Sequence, residues 1–393
     1  MSRLYARRML TILAASASTQ RFLTQLEGKV LMEENHVRDV PSYWKNWERK
    51  DWTEDLLQEM GETGLQRSWA ALRRMVSLTL LACPMTILWP LSHVSSTINT
   101  WSNAYALYAI EAAGPTFIKL IQWATTRQDL FSPEFCMYFG QLRDQTKGHS
   151  WKETLQILEE DLGTVGRLEH TNVSKDAIVT EYLQLERDPI GSGCIAQVYK
   201  GTLLKATEQY PAGTEVAVKV QHPNIWSKVC CDFYILNKVT KWLEKYSAGI
   251  LDLQYLSLND TVRQFRDCML PQLNLELEAK HLRRFNGDFA NDDRVSFPKP
   301  LASLTTPRVL TETFVTGTPI MEYVTADEKT RVDLANLGLH TTLQMIFFND
   351  FIHGDLHVSS CNELDGNYFR LHQANTSFHL FLPLSEAGQY SGQ

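Results

Sequence analysis

The sequence predicts an α+β fold in which a helical extension precedes a region of two lobes. Two β runs flank a glycine loop after residue 181, and a long apolar helix follows at about 327–349. The length of 393 residues suggests two or three domains, and 44% hydrophobic with 21% charged residues is ordinary for a chain that folds around a core. Disorder, a collagen helix and a coiled coil are therefore excluded for most of the chain.

Charge and cysteine content narrow the classes of partner and compartment. The formal net charge is −7, so no global excess of Lys and Arg is present to neutralise a phosphate backbone. Nucleic acid is therefore not expected as a principal partner. The seven cysteines form no Cys-x-x-Cys pair, and their odd number argues against a disulfide framework or a zinc site. A reducing compartment is expected.

Residues 1–26 have the composition of a mitochondrial transit peptide. They contain four arginines and several Ser, Thr and Ala residues, and no acidic residue occurs before Glu27. Mitochondrial import, with association to the inner membrane, is the prediction. Plastid import and a solvated basic helix of a cytoplasmic protein are the alternatives.

The N-terminal region 27–104 contains an apolar segment at about 75–92 that predicts membrane association. No Asp, Glu, Lys or Arg occurs in this segment. It is short for a bilayer span, which needs roughly 20 apolar residues. Pro84 and Pro90 are expected to kink or end a helix there. A spanning helix, a re-entrant or interfacial segment, and a buried hairpin are the open alternatives.

A small lobe is expected at 181–316, where a glycine loop precedes a strand that carries a lysine. Small residues in such a loop let backbone N–H groups approach phosphate oxygens, as a nucleotide-binding hairpin requires. Lys219 ends Val-Ala-Val-Lys one strand later, which matches the loop and lysine pairing of protein kinases. A plain hairpin with an exposed lysine is the alternative. The candidate nucleotide-covering residues are Gly191, Ser192, Gly193, Cys194, Ile195, Ala196 and Gln197.

A kinase-like lysine needs a carboxylate from a nearby helix, and helical periodicity selects Glu278. Glu278 recurs with Leu275 and Leu282 at three- and four-residue steps on one apolar face. Glu276 lies on a charged face and is expected to be solvated. Because a carboxylate on a core-facing stripe requires a cation, Glu278 is expected to orient Lys219.

The start of a large lobe is expected at 317–357. Just before it, the strand-like Val-Leu-Thr-Glu-Thr places Glu312 where a hinge between the lobes would contact a nucleotide. The apolar helix then leads to Phe-Ile-His-Gly-Asp-Leu-His, in which Asp355 follows a histidine by two residues. This order resembles a kinase catalytic loop, whose aspartate accepts a hydroxyl proton or positions the attacking group. Asp355 is therefore the predicted catalytic base.

Three features together resemble the aarF/UbiB family of atypical kinases, associated with ubiquinone biosynthesis, and in particular its aarF-domain-containing kinase 2 subgroup. In the helical extension 105–180, Lys119 and Gln122 match the family's Lys-x-Gly-Gln signature, although Ile121 replaces its glycine. The glycine loop is similar to the family's Ala-Gln-Val loop. The catalytic loop is similar to its His-x-Asp-x-His form.

The resemblance implies a protein-kinase-like two-lobed fold that binds ATP with Mg²⁺ between its lobes. In that family the Lys-x-Gly-Gln helix is thought to lie over the nucleotide cleft, so Lys119 and Gln122 are expected to gate it and exclude protein substrates. ATPase, small-molecule or lipid kinase chemistry is then favoured, with a lipid or ubiquinone precursor as the implied partner. Without the family context, an amphipathic helix with a solvated lysine is the simpler explanation.

The resemblance stops at His357, and residues 358–393 are expected to be a divergent tail. The family continues with Pro-Gly-Asn and a later Asp-Phe-Gly, whereas Ser360 stands here at the asparagine position and neither magnesium ligand is recognisable. Translation into an intron would produce such a change. The large lobe is thus expected to be truncated and the chain inactive. The alternatives are a pseudokinase scaffold that binds nucleotide or lipid without catalysis, and a fragment without a stable fold.

Overall fold

A computed structural model gives the arrangement of most of the chain beyond residue 63. The predicted targeting segment 1–26, Asp355 and most of the tail lie outside the residues that it describes. The described residues are 64–125, 128, 131–143, 148–163, 176–178, 182–246, 258–315, 317–353, 361–364 and 368–371.

Helices dominate the chain before the main sheet. They are α1 (Gly64–Ser92), α2 (Ser96–Ala113), α3 (Pro115–Thr125), α4 (Pro133–Phe139) and α5 (Trp151–Leu162). Gly114, with φ at 97°, ends α2, and α3 begins at Pro115 because proline is favoured in the first helical turn. Ser150 and Glu153 form a reciprocal capping box that fixes the start of α5.

Helix α1 is longer and more continuous than the sequence led us to expect. Pro84 and Pro90 lie inside it and do not end it. A proline removes a backbone hydrogen bond and bends a helix, yet the turns on either side keep their own bonds. Within the described part of the chain, no residue of α1 is buried. By length and composition, α1 is a candidate membrane span.

The main sheet is antiparallel throughout. The strands up to residue 313 are β1 (Asp176–Ile178), β2 (Leu183–Glu186), β3 (Gly191–Ser192), β4 (Ala196–Leu203), β5 (Glu215–Gln221), β6 (Val295–Ser296) and β7 (Val309–Thr313). Within the described residues the main sheet has six strands, in the order β1-β2-β4-β5-β7 with β3 paired to β4. It begins at Asp176, slightly before the expected boundary at 181.

The register of the main sheet assigns side chains to its two faces. Lys219 on β5 lies opposite Leu310 on β7, two residues before Glu312. Residues directly opposite each other, or two apart along a strand, share a face, so Lys219 and Glu312 point to the same side. Gln197 and Tyr199 point to the other side, because the residue between them lies opposite Lys219.

Each face of the main sheet is covered by a different helix. The helices that follow β5 are α6 (Ile225–Tyr246), α7 (Leu258–Met269) and α8 (Leu275–Asp288), and α8 lies on the face of Lys219. Helix α5 covers the opposite face with an apolar core. The fully enclosed members of this core are Ile157, Leu158, Leu183, Leu185, Tyr199, Leu203, Val216, Val218, Val220, Leu301, Leu304 and Val309.

The tail that was expected to be divergent contributes to a second small sheet. The second sheet consists of β6 and the strands β8 (Thr318–Pro319), β9 (Cys361–Leu364) and β10 (Tyr368–Leu371), in the order β6-β10-β9-β8. Of these, β9 and β10 belong to the tail. Between β8 and β9 lies helix α9 (Glu328–Phe347). Thr341 and Met345 are the residues of α9 that are buried. Most of this helix therefore faces away from the described core.

Candidate functional site

A buried ion pair joins the main sheet to helix α8. The Nζ atom of Lys219 lies 2.9 Å from Oε1 and 3.1 Å from Oε2 of Glu278. Lys219 is 2% exposed and Glu278 is 7% exposed. Glu278 lies in the first turn of α8, where the helix dipole also favours a negative charge. Two residues that are far apart in the sequence thus form one pair, because α8 packs across the sheet.

Glu312 is the third ionisable side chain of this face. It lies within β7, one residue before the end of that strand, and its role at a hinge between the lobes stays a prediction. Its Oε2 atom is buried without a hydrogen-bond partner. Burial, reinforced by the nearby Glu278 charge and opposed by Lys219, raises the pKa of Glu312 to about 8. Glu312 is therefore protonated at neutral pH.

Lys219, Glu278 and Glu312 form what we call the charged cluster. It contains one cation and two carboxyl groups, so keeping both carboxylates ionised would leave an uncompensated buried negative charge. The protonation of Glu312 removes that excess. Lys219 keeps Glu278 as its carboxylate partner in this cluster, as contact with an anionic ligand would require.

The glycine loop is a tight hairpin between β3 and β4. Ser192 pairs with Gln197, and the backbone N–H of Gly193 donates to the Ala196 carbonyl at 2.9 Å. The backbone N–H of His222, just after β5, donates to the Ile195 carbonyl at 2.8 Å. The strand that carries Lys219 therefore also holds the tip of the hairpin, which we call the glycine hairpin (191–197).

Gln197 belongs to the glycine hairpin, but its side chain points away from Lys219. It is completely buried on the α5 side of the sheet. Its amide nitrogen lies 3.2 Å from the His149 carbonyl and 3.2 Å from Thr154 Oγ1, while its oxygen accepts from the His149 backbone N–H at 3.1 Å. Among the predicted nucleotide-covering residues, Gln197 therefore directs its side chain away from Lys219, and its backbone pairs with Ser192 and Val220 on the flanking strands.

His149 and His222 lie beside Gln197, and sequence inspection did not select them. Their Nδ1 atoms are 2.7 Å apart, and Nε2 of His222 lies 2.8 Å from the Gly193 carbonyl oxygen. Burial lowers the pKa of His149 to about 4, with a smaller contribution from His222. Burial also lowers the pKa of His222. No local motif marks either residue, because their proximity depends on α5 packing against the sheet.

Lys119 and Gln122 lie on α3 within the helical layer. This helix contacts α2, α4, α6 and α7. The Gln122 side-chain amide donates to the Leu142 carbonyl at 3.0 Å, and Lys119 is 9% exposed. Gln122 thus ties α3 to the turn that follows α4. A gating role for Lys119 and Gln122 remains a prediction.

Asp355 lies outside the described residues, but the chain that leads to it is placed. Phe351 is fully buried, and its ring lies 4.8 Å from that of Phe285 on α8. His353 is 6% exposed and lies beside the same phenylalanine. At His353 the chain therefore lies next to the helix that carries Glu278.

A magnesium site was expected only for a complete family member. In the part of the chain that the structure describes, no three His, Cys, Asp or Glu side chains are grouped to hold a metal ion. The segment 354–360, which includes Ser360, lies outside that part. The described residues suit the phosphates of a nucleotide better than a metal ion, since a buried lysine and a glycine hairpin lie on adjacent strands.

Comparison with known proteins gives a consistent result. Residues 141–362 match the family described as the ABC1 atypical kinase-like domain. The chain is 31% identical over 307 residues to a probable serine/threonine-protein kinase, abkC, of Dictyostelium discoideum, an alignment that covers 76% of this chain and 41% of the relative. It is 31% identical over 309 residues to a mitochondrial ABC1 family protein of Saccharomyces cerevisiae, covering 72% and 45%.

A bacterial relative extends the comparison. The probable protein kinase UbiB of Actinobacillus pleuropneumoniae is 27% identical over 255 residues, which are 64% of this chain and 44% of the relative. All three alignments span less than half of the relative's length. The matched region contains both the glycine hairpin and the charged cluster.

Proposed function

This chain belongs to the ABC1 atypical kinase-like family, and we propose that its folded part binds ATP at the Lys219 face of the main sheet. The observation that carries the proposal is the buried Lys219–Glu278 pair, 2.9 Å long, on the strand that anchors the glycine hairpin. A lysine held by a carboxylate can contact phosphate oxygens without losing its orientation. The glycine hairpin then covers the phosphates with backbone N–H groups.

The proposal assigns further roles by the family's order of motifs. Asp355 acts as the base that accepts a proton from the attacking group, and Lys119 with Gln122 gates the cleft. The acceptor is a small molecule or lipid of mitochondrial ubiquinone or lipid metabolism, a link supported only by the family resemblance. When bound, Mg²⁺ would neutralise the phosphates.

A pseudokinase scaffold is the second candidate function. The observation that favours it is Ser360, which stands where the family resemblance places a metal-binding asparagine. Such a protein would hold nucleotide between Lys219 and the glycine hairpin and act through the conformation that binding stabilises. It shares the binding step with the first candidate and differs only in turnover.

Membrane attachment through α1 is part of the proposal, together with mitochondrial localisation. Arg74 anchors this helix, since its Nε lies 2.7 Å from Oδ1 of the fully buried Asp232 on α6. One side of the helix packs against α2, where the Tyr105 hydroxyl donates to the Leu81 carbonyl at 2.9 Å. Other apolar side chains of the helix face solvent: Leu80 is 69% and Ile87 is 63% exposed. A contiguous apolar surface of this kind marks a membrane or protein interaction site. Support for the organelle comes from the mitochondrial relative of yeast.

A fractionation experiment tests the membrane part. Replacing Leu80 and Ile87 by Glu should move the full-length protein from the carbonate-resistant membrane pellet to the supernatant, because a charge in the hydrocarbon costs about 2.5–3.5 kcal/mol. Val332→Glu on α9, which is 50% exposed, is the matched control and should leave the protein in the pellet. If both proteins stay in the pellet, attachment through α1 is wrong.

Nucleotide binding is tested by titrating the full-length protein with a fluorescent ATP analogue. Lys219→Met should weaken binding roughly 10- to 100-fold, because hydrogen bonds from a charged donor contribute about 1.5–3 kcal/mol. Lys200→Met is the matched control on the neighbouring strand, where Lys200 pairs with the exposed Glu215. Lys219→Arg, which keeps the positive charge, should weaken nucleotide binding less than Lys219→Met does. Equal affinities of the Lys219→Met and Lys200→Met proteins would exclude this site.

Turnover then separates the two candidate functions. Release of phosphate from ATP that disappears in Asp355→Asn supports the catalytic function. Nucleotide binding that depends on Lys219, without release of phosphate by the parent chain, supports the scaffold.

A further inference from the structure

A second buried polar cluster lies on the face of the main sheet opposite Lys219, and it starts and ends in the glycine hairpin. We call it the histidine relay. Its members, in spatial order, are the side chains of Gln197, Tyr199, Thr154, His149 and His222 and the backbone carbonyl of Gly193. Gln197 and Gly193 also belong to the predicted nucleotide-covering loop. Tyr199, Thr154, His149 and His222 belong neither to that loop nor to the charged cluster.

The proton positions in the relay follow from its last bond. Nε2 of His222 lies 2.8 Å from the Gly193 carbonyl oxygen, which can only accept. This nitrogen therefore carries the proton, and in a neutral ring Nδ1 of His222 is then an acceptor. Because Nδ1 of His149 lies 2.7 Å from it, His149 must donate through Nδ1. The Nε2 atom of His149 is left as an acceptor.

The hydroxyl groups of Thr154 and Tyr199 donate in the same direction along this chain of hydrogen bonds. Oγ1 of Thr154 lies 3.0 Å from Nε2 of His149 and must donate to it. Its single proton is then used, so the Tyr199 hydroxyl, 2.6 Å away, donates to Thr154, as does the Gln197 amide at 3.2 Å. The two protons of the Gln197 amide face three acceptors, the His149 carbonyl, Thr154 Oγ1 and the Tyr199 hydroxyl. From Tyr199 to Gly193 the bonds run one way.

The packing around the relay requires a small residue beside Gln197. A Cβ atom added to Gly148 would lie 2.3 Å from Oε1 of Gln197. Gln197 is completely buried and its amide is fixed by His149, so it has little room to move away. The backbone before α5 and the glycine hairpin therefore meet in close contact.

From this geometry we infer that His149 and His222 are positioning residues, which hold the glycine hairpin over the nucleotide through the Gly193 carbonyl. The inference rests on the proposed function, because nucleotide affinity is what the hairpin position is expected to control. Loss of the His222 bond frees the Gly193 carbonyl. Loss of His149 removes the donor that fixes the tautomer of His222.

Burial, more than the surrounding charges, keeps both rings of the relay neutral. Glu153 on α5 favours the charged form of each ring, and Lys228 on α6 opposes it at His222. Burial is the largest influence on both pKa values and favours the neutral form. Tyr199 on β4 is the other ionisable group in contact, and burial raises the pKa of its hydroxyl, so it stays a donor.

The decisive experiment compares nucleotide affinities of full-length variants. His222→Leu should weaken binding of a fluorescent ATP analogue roughly 2- to 10-fold, which corresponds to the loss of one neutral hydrogen bond. His222→Gln should restore most of the affinity, because its side-chain amide can reach the Gly193 carbonyl from a similar position. Ile157→Ala, in the core of the same face, is the control for a general loss of stability. A loss of affinity in Ile157→Ala as large as in His222→Leu would overturn the inference.

A second measurement does not depend on nucleotide. Nitrogen NMR of the histidine rings near pH 7.5 should show His149 protonated at Nδ1 and His222 at Nε2, an unusual assignment for His149 because free neutral imidazole favours Nε2. Protonation of both rings at Nε2 would overturn the relay even if ATP binds. If the tautomers are as expected but the parent protein binds no ATP, the proposed function fails while the relay stands, and the positioning of a nucleotide is refuted with that function.

Discussion

The two faces of the main sheet carry two buried polar clusters that are built by opposite rules. On one face the charged cluster places Lys219 against Glu278 at 2.9 Å, with the protonated Glu312 beside them. On the other face the histidine relay consists of neutral donors and acceptors. Desolvation acts on both, but only the first contains a counter-charge that offsets it.

This difference suggests that the two clusters have different roles. A charged group that keeps a partner can exchange part of that contact for an incoming phosphate, which suits the proposed role of Lys219. A chain of neutral, buried hydrogen bonds has no charge to attract a phosphate, so it suits the fixing of a backbone segment. The glycine hairpin lies between the two clusters and is connected to both.

The largest expected effect is the loss of the carboxylate from the charged cluster. Glu278→Leu leaves Lys219 buried without its ion-pair partner and should lower the free energy of unfolding by about 3–5 kcal/mol, as measured by urea denaturation. The double variant with Lys219→Met removes both charges and should be more stable than the single variant. If the double variant is the less stable of the two, buried charge pairing does not govern this face.

A steric change tests the other face with a smaller effect. Gly148→Ala should lower the free energy of unfolding by about 1–3 kcal/mol, because the new Cβ atom would lie 2.3 Å from Gln197 Oε1. Gly163→Ala has open space around the added Cβ atom, although φ at +85° makes it a strained control for the backbone alone. A Gly148→Ala protein as stable as the parent would show that the relay tolerates displacement.

Mild acid should weaken the histidine relay before the charged cluster. The folded-state pKa of His149 is about 4, below its ordinary value of 6.5, so the unfolded chain binds the extra proton first. Stability is complete above pH 6.5 and falls as the pH decreases from 6.5 towards 4, by on the order of 1 kcal/mol after allowance for solvent screening. Urea midpoints over this range should move less in His149→Gln than in the parent protein.

The stability that depends on the charged cluster should change with pH in the opposite direction. The pKa of Glu312 is raised from 4.5 to about 8, so its contribution is complete below pH 4.5 and is lost as the pH rises towards 8. Glu312→Gln should change the free energy of unfolding by less than about 1 kcal/mol below pH 4.5, where Glu312 is neutral in both the folded and the unfolded chain. At pH 7 the variant should be more stable than the parent protein, because ionisation of Glu312 then favours the unfolded parent chain. The stability of the variant should no longer fall between pH 4.5 and 8 in denaturation curves. A slope unchanged by the substitution would mean that Glu312 is ionised in the folded protein.

Part of the charged cluster could be predicted from the sequence because its signals are local. Lys219 ends a β-branched strand after a glycine loop, and Glu278 recurs with apolar residues at helical spacing. The family resemblance adds the kinase-like fold, which the family match supports. Glu312 was predicted at a hinge between the lobes, but its burial beside Lys219 could not be predicted, because that depends on the register of β7 against β5.

The histidine relay carries no such signal. His149 precedes α5 and His222 follows β5, and the chain between them includes five strands. Single histidines in these positions resemble ordinary surface residues, and their shared proton depends on a distance of 2.7 Å that only packing creates. The sequence also did not show that α1 continues through Pro84 and Pro90. Whether a proline bends a helix or ends it depends on the turns on either side.

The sequence by itself thus determined the α+β class, the glycine hairpin, Lys219 and its carboxylate partner, since each follows from the spacing of residues along a single strand, turn or helix. Only the tertiary structure decided which side chains share a face, that Glu312 joins Lys219, and that Gln197 turns away to meet His149. The physical reason is that hydrogen bonds and charges act over a few ångströms, and sheet register with helix packing sets which distant residues come that close.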